Sequence, residues 1–268
     1  MLEIERTGEG RFLAPHALTG APGAVFGGQL LAQVVVAAGH ELGEKPLTSL
    51  HTVFSRPALV DAPIHIDVDV MQSGRNAASA VITVHQGGPP CARALALALA
   101  PQVPELAHHA ATPPDVAGPD DATPTPSRLD ELDLRVVGGV DLSADGTVGP
   151  PEMCVWARAT GLPDVPNAAK GMVALAGESY FVGTALRPHA DLSPAQSFSR
   201  FAPAVVSHGL AFHDTVVESE WWLLVMAVPH LAHGRLFGRG DVFSEDGRLL
   251  ASIWQENLMR PLDGAPAR

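Results

Sequence analysis

Residues 26–41 are apolar on nearly every side, with Leu30, Leu31, Val34, Val35, Ala37 and Ala38 spread round every face of the helix they would form. A helix without a polar face is stable only inside a protein, so the rest of the chain has to wrap it. The wrapping material follows directly. Pro63-Ile64-His65-Ile66-Asp67-Val68-Asp69-Val70 alternates strictly between apolar and polar, the period of a strand with one face packed and the other wet. Residues 50–56, 77–86 and 91–99 read as further strands, the last two joined by Gly87-Gly88-Pro89, a turn signal. One buried helix followed by antiparallel strands is an α+β layout, a sheet curled round a helix.

The pattern occurs twice. Gly74-Arg75 is matched by Gly234-Arg235 and Gly87 by Gly247, both 160 residues on, while His51-Thr52-Val53-Phe54 is matched by His208-Gly209-Leu210-Ala211-Phe212, 157 residues on. The apolar helix returns over residues 170–186. Two copies of one supersecondary unit account for this spacing. Between them, residues 101–128 carry seven prolines among Ala, Asp and Thr, a composition suited to an exposed linker. The expected division is residues 1–105, a linker at 106–128, and residues 129–268. His108 and His109 fall in the linker, and no third or fourth ligand lies at suitable spacing, so no metal is expected.

Composition removes several classes of function. With 268 residues, 46% of them hydrophobic, the chain can bury a core without staples. Its two cysteines, Cys91 and Cys154, are too few for a disulfide framework or a cysteine metal site and suit a reducing cytosol. Glu3 and Glu5 stand where a signal peptide would be basic, and the apolar runs at 30–38 and 92–100 fall short of the roughly 20 residues of a membrane-spanning helix. A soluble cytoplasmic protein without membrane insertion is expected. A formal charge of −12, from 29 acidic and 17 basic residues, argues against nucleic acid as partner. Neither a Gly-x-Ser-x-Gly elbow, nor a phosphate-binding loop, nor a dinucleotide fingerprint is present.

Val25-Phe26-Gly27-Gly28-Gln29-Leu30-Leu31-Ala32-Gln33, Leu50-His51-Thr52-Val53-Phe54-Ser55-Arg56-Pro57 and the closing stretch 246–260, with Ile253-Trp254-Gln255-Glu256-Asn257-Leu258-Met259-Arg260, carry a likeness that extends over nearly the whole chain. Together with residues 156–159, 174–189 and 207–213, they resemble the type II acyl-CoA thioesterases. The resemblance implies a double hotdog fold, two antiparallel sheets each wrapped around a long central helix. It implies an acyl-CoA site between the halves, packed sheet to sheet, and no cofactor. Chains of this kind commonly associate further, so a homo-oligomer, a dimer or tetramer, is expected. The family uses an aspartate on the second central helix, a threonine on the next strand and a glutamine on the last strand to orient a water. Those positions fall on Glu178, Val205 and Gln255. Glutamate is a longer acid, and valine has no hydroxyl, for which Ser207 is the nearest substitute.

Thioester hydrolysis needs a base near neutral pH and donors facing the carbonyl oxygen as it becomes an oxyanion. Glu178, at the edge of an apolar helix, is the candidate base, because partial desolvation raises a carboxyl pKa. Gln255 is expected to fix the direction of the attacking water. Gly27 and Gly28, followed by Gln29, suit the approach of a substrate carbonyl to backbone N–H groups at a helix start. For the CoA phosphates, Arg56, Arg75 and Arg235 are the principal candidates, with Arg187 and Arg239 behind them. His51 and His208, at paired positions of the repeat, read as structural. Two alternatives stay open at this point. One is an acyl-CoA-binding or scaffold protein with weak catalysis, for want of the hydroxyl at Val205. The other is a hotdog lyase or dehydratase, which would call for a histidine paired with an acid.

Overall fold

The computed structural model of the chain describes residues 1–16, 18–101, 106, 108, 110–141 and 148–262. The first half runs β1 (Glu5–Gly8), β2 (Arg11–Ala14), α1 (Gly27–Glu41), β3 (Leu47–Phe54), β4 (Ile64–Ser73), β5 (Ala77–His85) and β6 (Ala92–Leu99). The second half runs β7 (Thr123–Thr125), β8 (Leu132–Val136), β9 (Glu152–Ala159), α2 (Ala168–Glu178), α3 (Phe181–Leu186), β10 (Phe201–Phe212), β11 (Trp222–Ala232), β12 (Arg235–Ser244) and β13 (Leu249–Pro261). The repeat expected from sequence is the repeat observed. Gly74 and Gly234 lie at the β4–β5 and β11–β12 turns, while Gly87 and Gly247 turn β5 into β6 and β12 into β13 at φ +78° and +87°, where a side chain would be strained.

The two halves do not pack sheet to sheet. They join edge to edge, β3 pairing with β10, so that among the described residues one 13-stranded antiparallel sheet runs β1-β2-β4-β5-β6-β3-β10-β13-β12-β11-β9-β8-β7. Each curled half would otherwise leave an edge strand with unpaired N–H and C=O groups, and pairing the two edges removes that liability. Along β5 the burial pattern alternates strictly, with Ala78, Ala80, Ile82 and Val84 turned inward. The layout is the expected α+β double hotdog, with its sheets continuous.

Inside the curl, the two central helices run antiparallel and touch through small residues. A Cβ built on Gly28 would lie 2.9 Å from the Leu175 carbonyl oxygen, and one on Gly171 would lie 3.2 Å from that of Ala32. At the far end, Gly39 meets Asn167. The N-terminus of α1 is thereby set against the C-terminus of α2. The second helix expected over 170–186 is two helices, broken at Ser179-Tyr180, where the Ser179 hydroxyl donates back to the Leu175 carbonyl at 3.0 Å, a local bond that competes with helix continuation. The break makes Glu178 the last residue of α2.

Of the proline-rich stretch, residues 119–125 are docked on the sheet as a short turn and β7, with Ala122 buried against Trp156, Trp221 and Leu223. Trp156 Nε1 donates to the Ala117 carbonyl at 2.9 Å. His109 lies outside the described residues, as do residues 102–105 at the expected domain boundary. No helix among the described residues is long and apolar enough to cross a membrane.

Candidate active site

A cavity of about 740 Å³ opens where the start of α1, the end of α2 and the strands β10 and β13 converge. Gly27, Glu178, Val205 and Asn257 all line it, and its walls are largely apolar through residues such as Val25, Leu30 and Val182. A Cβ on Gly27 would stand 3.5 Å from Glu178 Oε1 and only 2.8 Å from Val205 Cγ1. The carboxylate, the bare helix start and the valine therefore form one tight group. Burial raises the Glu178 carboxyl from its ordinary 4.5 to about 7, while the Arg128 guanidinium pulls the other way.

Gln255 is completely buried and makes three side-chain hydrogen bonds. Its amide donates to the Glu178 carbonyl oxygen at 3.4 Å and to Asn257 Oδ1 at 2.9 Å, and its oxygen faces His208 Nδ1 at 2.7 Å. The Glu178 carbonyl can only accept, which fixes which end of the Gln255 amide is nitrogen and leaves the oxygen to accept from a protonated Nδ1. Burial lowers the His208 pKa to about 4, so the ring is neutral and holds this tautomer. Gln255 lies behind the cavity wall and is not among its lining residues. Both of its amide hydrogens and one acceptor site of its oxygen are thus taken up by protein groups.

The other residues singled out from sequence are dispersed. Ser207 is buried at the β3–β10 seam, where its hydroxyl lies 3.0 Å from His51 Nε2, and it does not line the cavity. Gln29 faces the loop before α1: Oε1 accepts from the Leu18 N–H at 2.7 Å and Nε2 donates to the Pro15 carbonyl at 2.9 Å. Gly28 serves the helix crossing. Arg56 lines the cavity. Arg75 and Arg235 sit exposed at hairpin turns, Arg239 is exposed on β12 opposite Trp254, and the Arg187 guanidinium donates to the Glu152 carbonyl; none of these four lines the cavity.

Three lining residues were not legible at first. Arg128 and Arg260 join Arg56 at the cavity, Arg128 held by its bond to the Thr19 carbonyl at 2.6 Å. Asn257 is buried at 2% exposure and lies directly across from Val205 in the β10–β13 register. Its position two residues after Gln255 on one strand puts both side chains on one face, a signal available in the sequence.

Fold and site define a double hotdog protein with a half-buried carboxylate lining a cavity beside the crossing of its central helices. Residues 16–99 match the model of the acyl-CoA thioesterase N-terminal domain, and residues 105–259 match that of the C-terminal domain. The chain belongs to the acyl-CoA thioesterase family. It is 28% identical to acyl-CoA thioesterase 2 of Haemophilus influenzae, over 88% of this chain and 87% of that protein. In fold it is similar to the acyl-CoA thioesterase II TesB2 of Mycobacterium marinum, with a TM-score of 0.80 at 22% identity over 99% of this chain and 98% of that one. The tesB protein MAP1729c of Mycobacterium avium subspecies paratuberculosis gives 0.80 at 24% identity, over 97% of each chain.

Proposed function

We propose that this acyl-CoA thioester hydrolase attacks its substrate directly with water, Glu178 serving as the base. The observation that carries the proposal is the Glu178 carboxyl, raised to about 7 and lining the apolar cavity. A base is most useful when its pKa lies near the working pH. Glu178 takes a proton from the water as its oxygen bonds to the thioester carbon. The tetrahedral oxyanion then expels the CoA sulfur, and the new carboxylic acid of Glu178 returns its proton to the departing thiolate. Free acid and CoA result, and the base is regenerated. The apolar walls support a fatty or medium-chain acyl group, and Arg56, Arg128 and Arg260 support an anionic CoA portion. Association of copies is supported by Val53, Met71 and Leu95, apolar side chains left exposed.

The test is thiol release from a panel of acyl-CoA esters, with Glu178→Ala compared at intact fold. Turnover by the parent chain and its loss in the variant are expected. Unchanged turnover in Glu178→Ala would remove Glu178 from the mechanism, and calorimetric binding of acyl-CoA without thiol release by the parent would mark a binding protein.

A further inference from the structure

We propose that Asn257 supplies a side-chain hydrogen bond to the thioester carbonyl oxygen and is a catalytic residue of this chain, with Gln255 and His208 as the positioning residues that aim it. The inference rests on Glu178 acting as the base. Four observations lead to it. Asn257 lines the cavity although only 2% of it is exposed, so its accessible part faces the site. Its partner across the β10–β13 ladder is Val205, whose side chain can neither donate nor accept. Its Oδ1 is held by Gln255 Nε2 at 2.9 Å, so the end of the carboxamide left for the cavity is the NH2. The orientation is not free to reverse: the Glu178 carbonyl, which can only accept, fixes Gln255, and Gln255 fixes Asn257.

The direction of that donor decides its role. A water losing one proton to Glu178 is aimed best by an acceptor for its second hydrogen, which an NH2 group cannot be, and a donor to its oxygen would draw on the electron density that attacks. An acyl carbonyl that is gaining negative charge needs donors, and a pre-aimed amide in a site shielded from water serves it well. The side chain thus occupies the site beside Val205 with a different chemistry from a hydroxyl, stabilising the oxyanion in place of orienting the water. Gln255 keeps a part in catalysis, although it acts through Asn257 and the main chain of Glu178.

The experiment compares wild type with Asn257→Ala and the similarly sized Asn257→Leu. Removing one such donor costs about 10²- to 10³-fold in kcat, with KM little changed and the pH midpoint of the rate unmoved. A second readout uses an acyl-CoA analogue in which CH2 replaces the thioester sulfur, so that a stable 13C-labelled ketone occupies the carbonyl position. Its infrared carbonyl stretch is expected to lie lower bound to wild type than bound to either variant. Unchanged kcat, or a lower kcat with an identical carbonyl frequency, overturns the proposal. Should neither variant fold, a structure of wild type with the analogue decides: Asn257 Nδ2 about 3 Å from the ketone oxygen supports it, and an oxygen met by other groups overturns it. Wild type without any turnover would instead count against Glu178 as base.

Discussion

Gln255 reaches Glu178 through the main chain: its Nε2 donates to the Glu178 carbonyl oxygen at 3.4 Å and makes no bond to the carboxylate. The last strand therefore pins the C-terminal end of α2 in place, and the carboxylate is left to the cavity. The contact between the two residues is thus made by the Glu178 main chain and not by its carboxylate.

A carboxyl whose pKa is raised by desolvation carries a stability penalty whose sign is fixed. Between its ordinary 4.5 and about 7, Glu178 holds a proton in the folded chain that the unfolded chain has released. Its contribution therefore becomes more unfavourable as pH rises through that window and is constant above it. The shift corresponds to about 3 kcal/mol. Glu178→Gln is expected to unfold at higher denaturant than wild type at pH about 8, the gap closing toward pH about 4. His208, lowered to about 4, acts with the opposite slope but in both proteins, so it cancels in the difference.

Gln29 is fully buried and bonded to the loop before α1. It ties the loop at Pro15 and Leu18 to the start of α1, and truncation leaves the buried-side Leu18 N–H without its partner. Gln29→Ala is expected to lose about 1–3 kcal/mol of stability while KM for acyl-CoA stays as in wild type. A KM that rises with stability unchanged would return Gln29 to the binding site.

Gly27 is required by contact and not by backbone conformation. A methyl there would meet Val205 Cγ1 at 2.8 Å and approach Glu178 Oε1 at 3.5 Å. Gly27→Ala is expected to cost about 1–3 kcal/mol through overpacking and to lower kcat by displacing the carboxylate. Adding Val205→Ala makes room, and the double variant is expected to recover stability. Recovery of neither stability nor rate would show that the crowding lies elsewhere.

How much the sequence discloses follows from which signals are periodic. Helix α1 and strands β4 to β6 declare themselves through helical and alternating patterns, and the turn glycines at Gly87 and Gly247 disclose the duplication. Edge-to-edge joining at β3 and β10 leaves no such mark, because hydrogen bonding across a sheet edge does not alter the side-chain period. The break after Glu178 is likewise invisible: Phe181, Ala185 and Leu186 continue the apolar character across a local serine bond. At the site, Glu178 and Gln255 are legible through the family resemblance, which draws attention away from Asn257 two residues further on. Arg128 is hidden because the prolines before it read as a free linker, whereas residues 119–125 are held on the sheet by Ala122 and its tryptophan neighbours.

The most direct test is the pH dependence of kcat/KM for acyl-CoA hydrolysis, measured on wild type and Glu178→Gln side by side. Wild type is expected to gain rate with rising pH through an apparent pKa of about 7 and then level off, since the ionised carboxylate is the active form. Glu178→Gln is expected to fall by about 10²- to 10⁴-fold and to lose that rise. A variant that keeps the wild-type rate and midpoint, or a wild-type profile flat through neutrality, would contradict the assignment of Glu178 as the base.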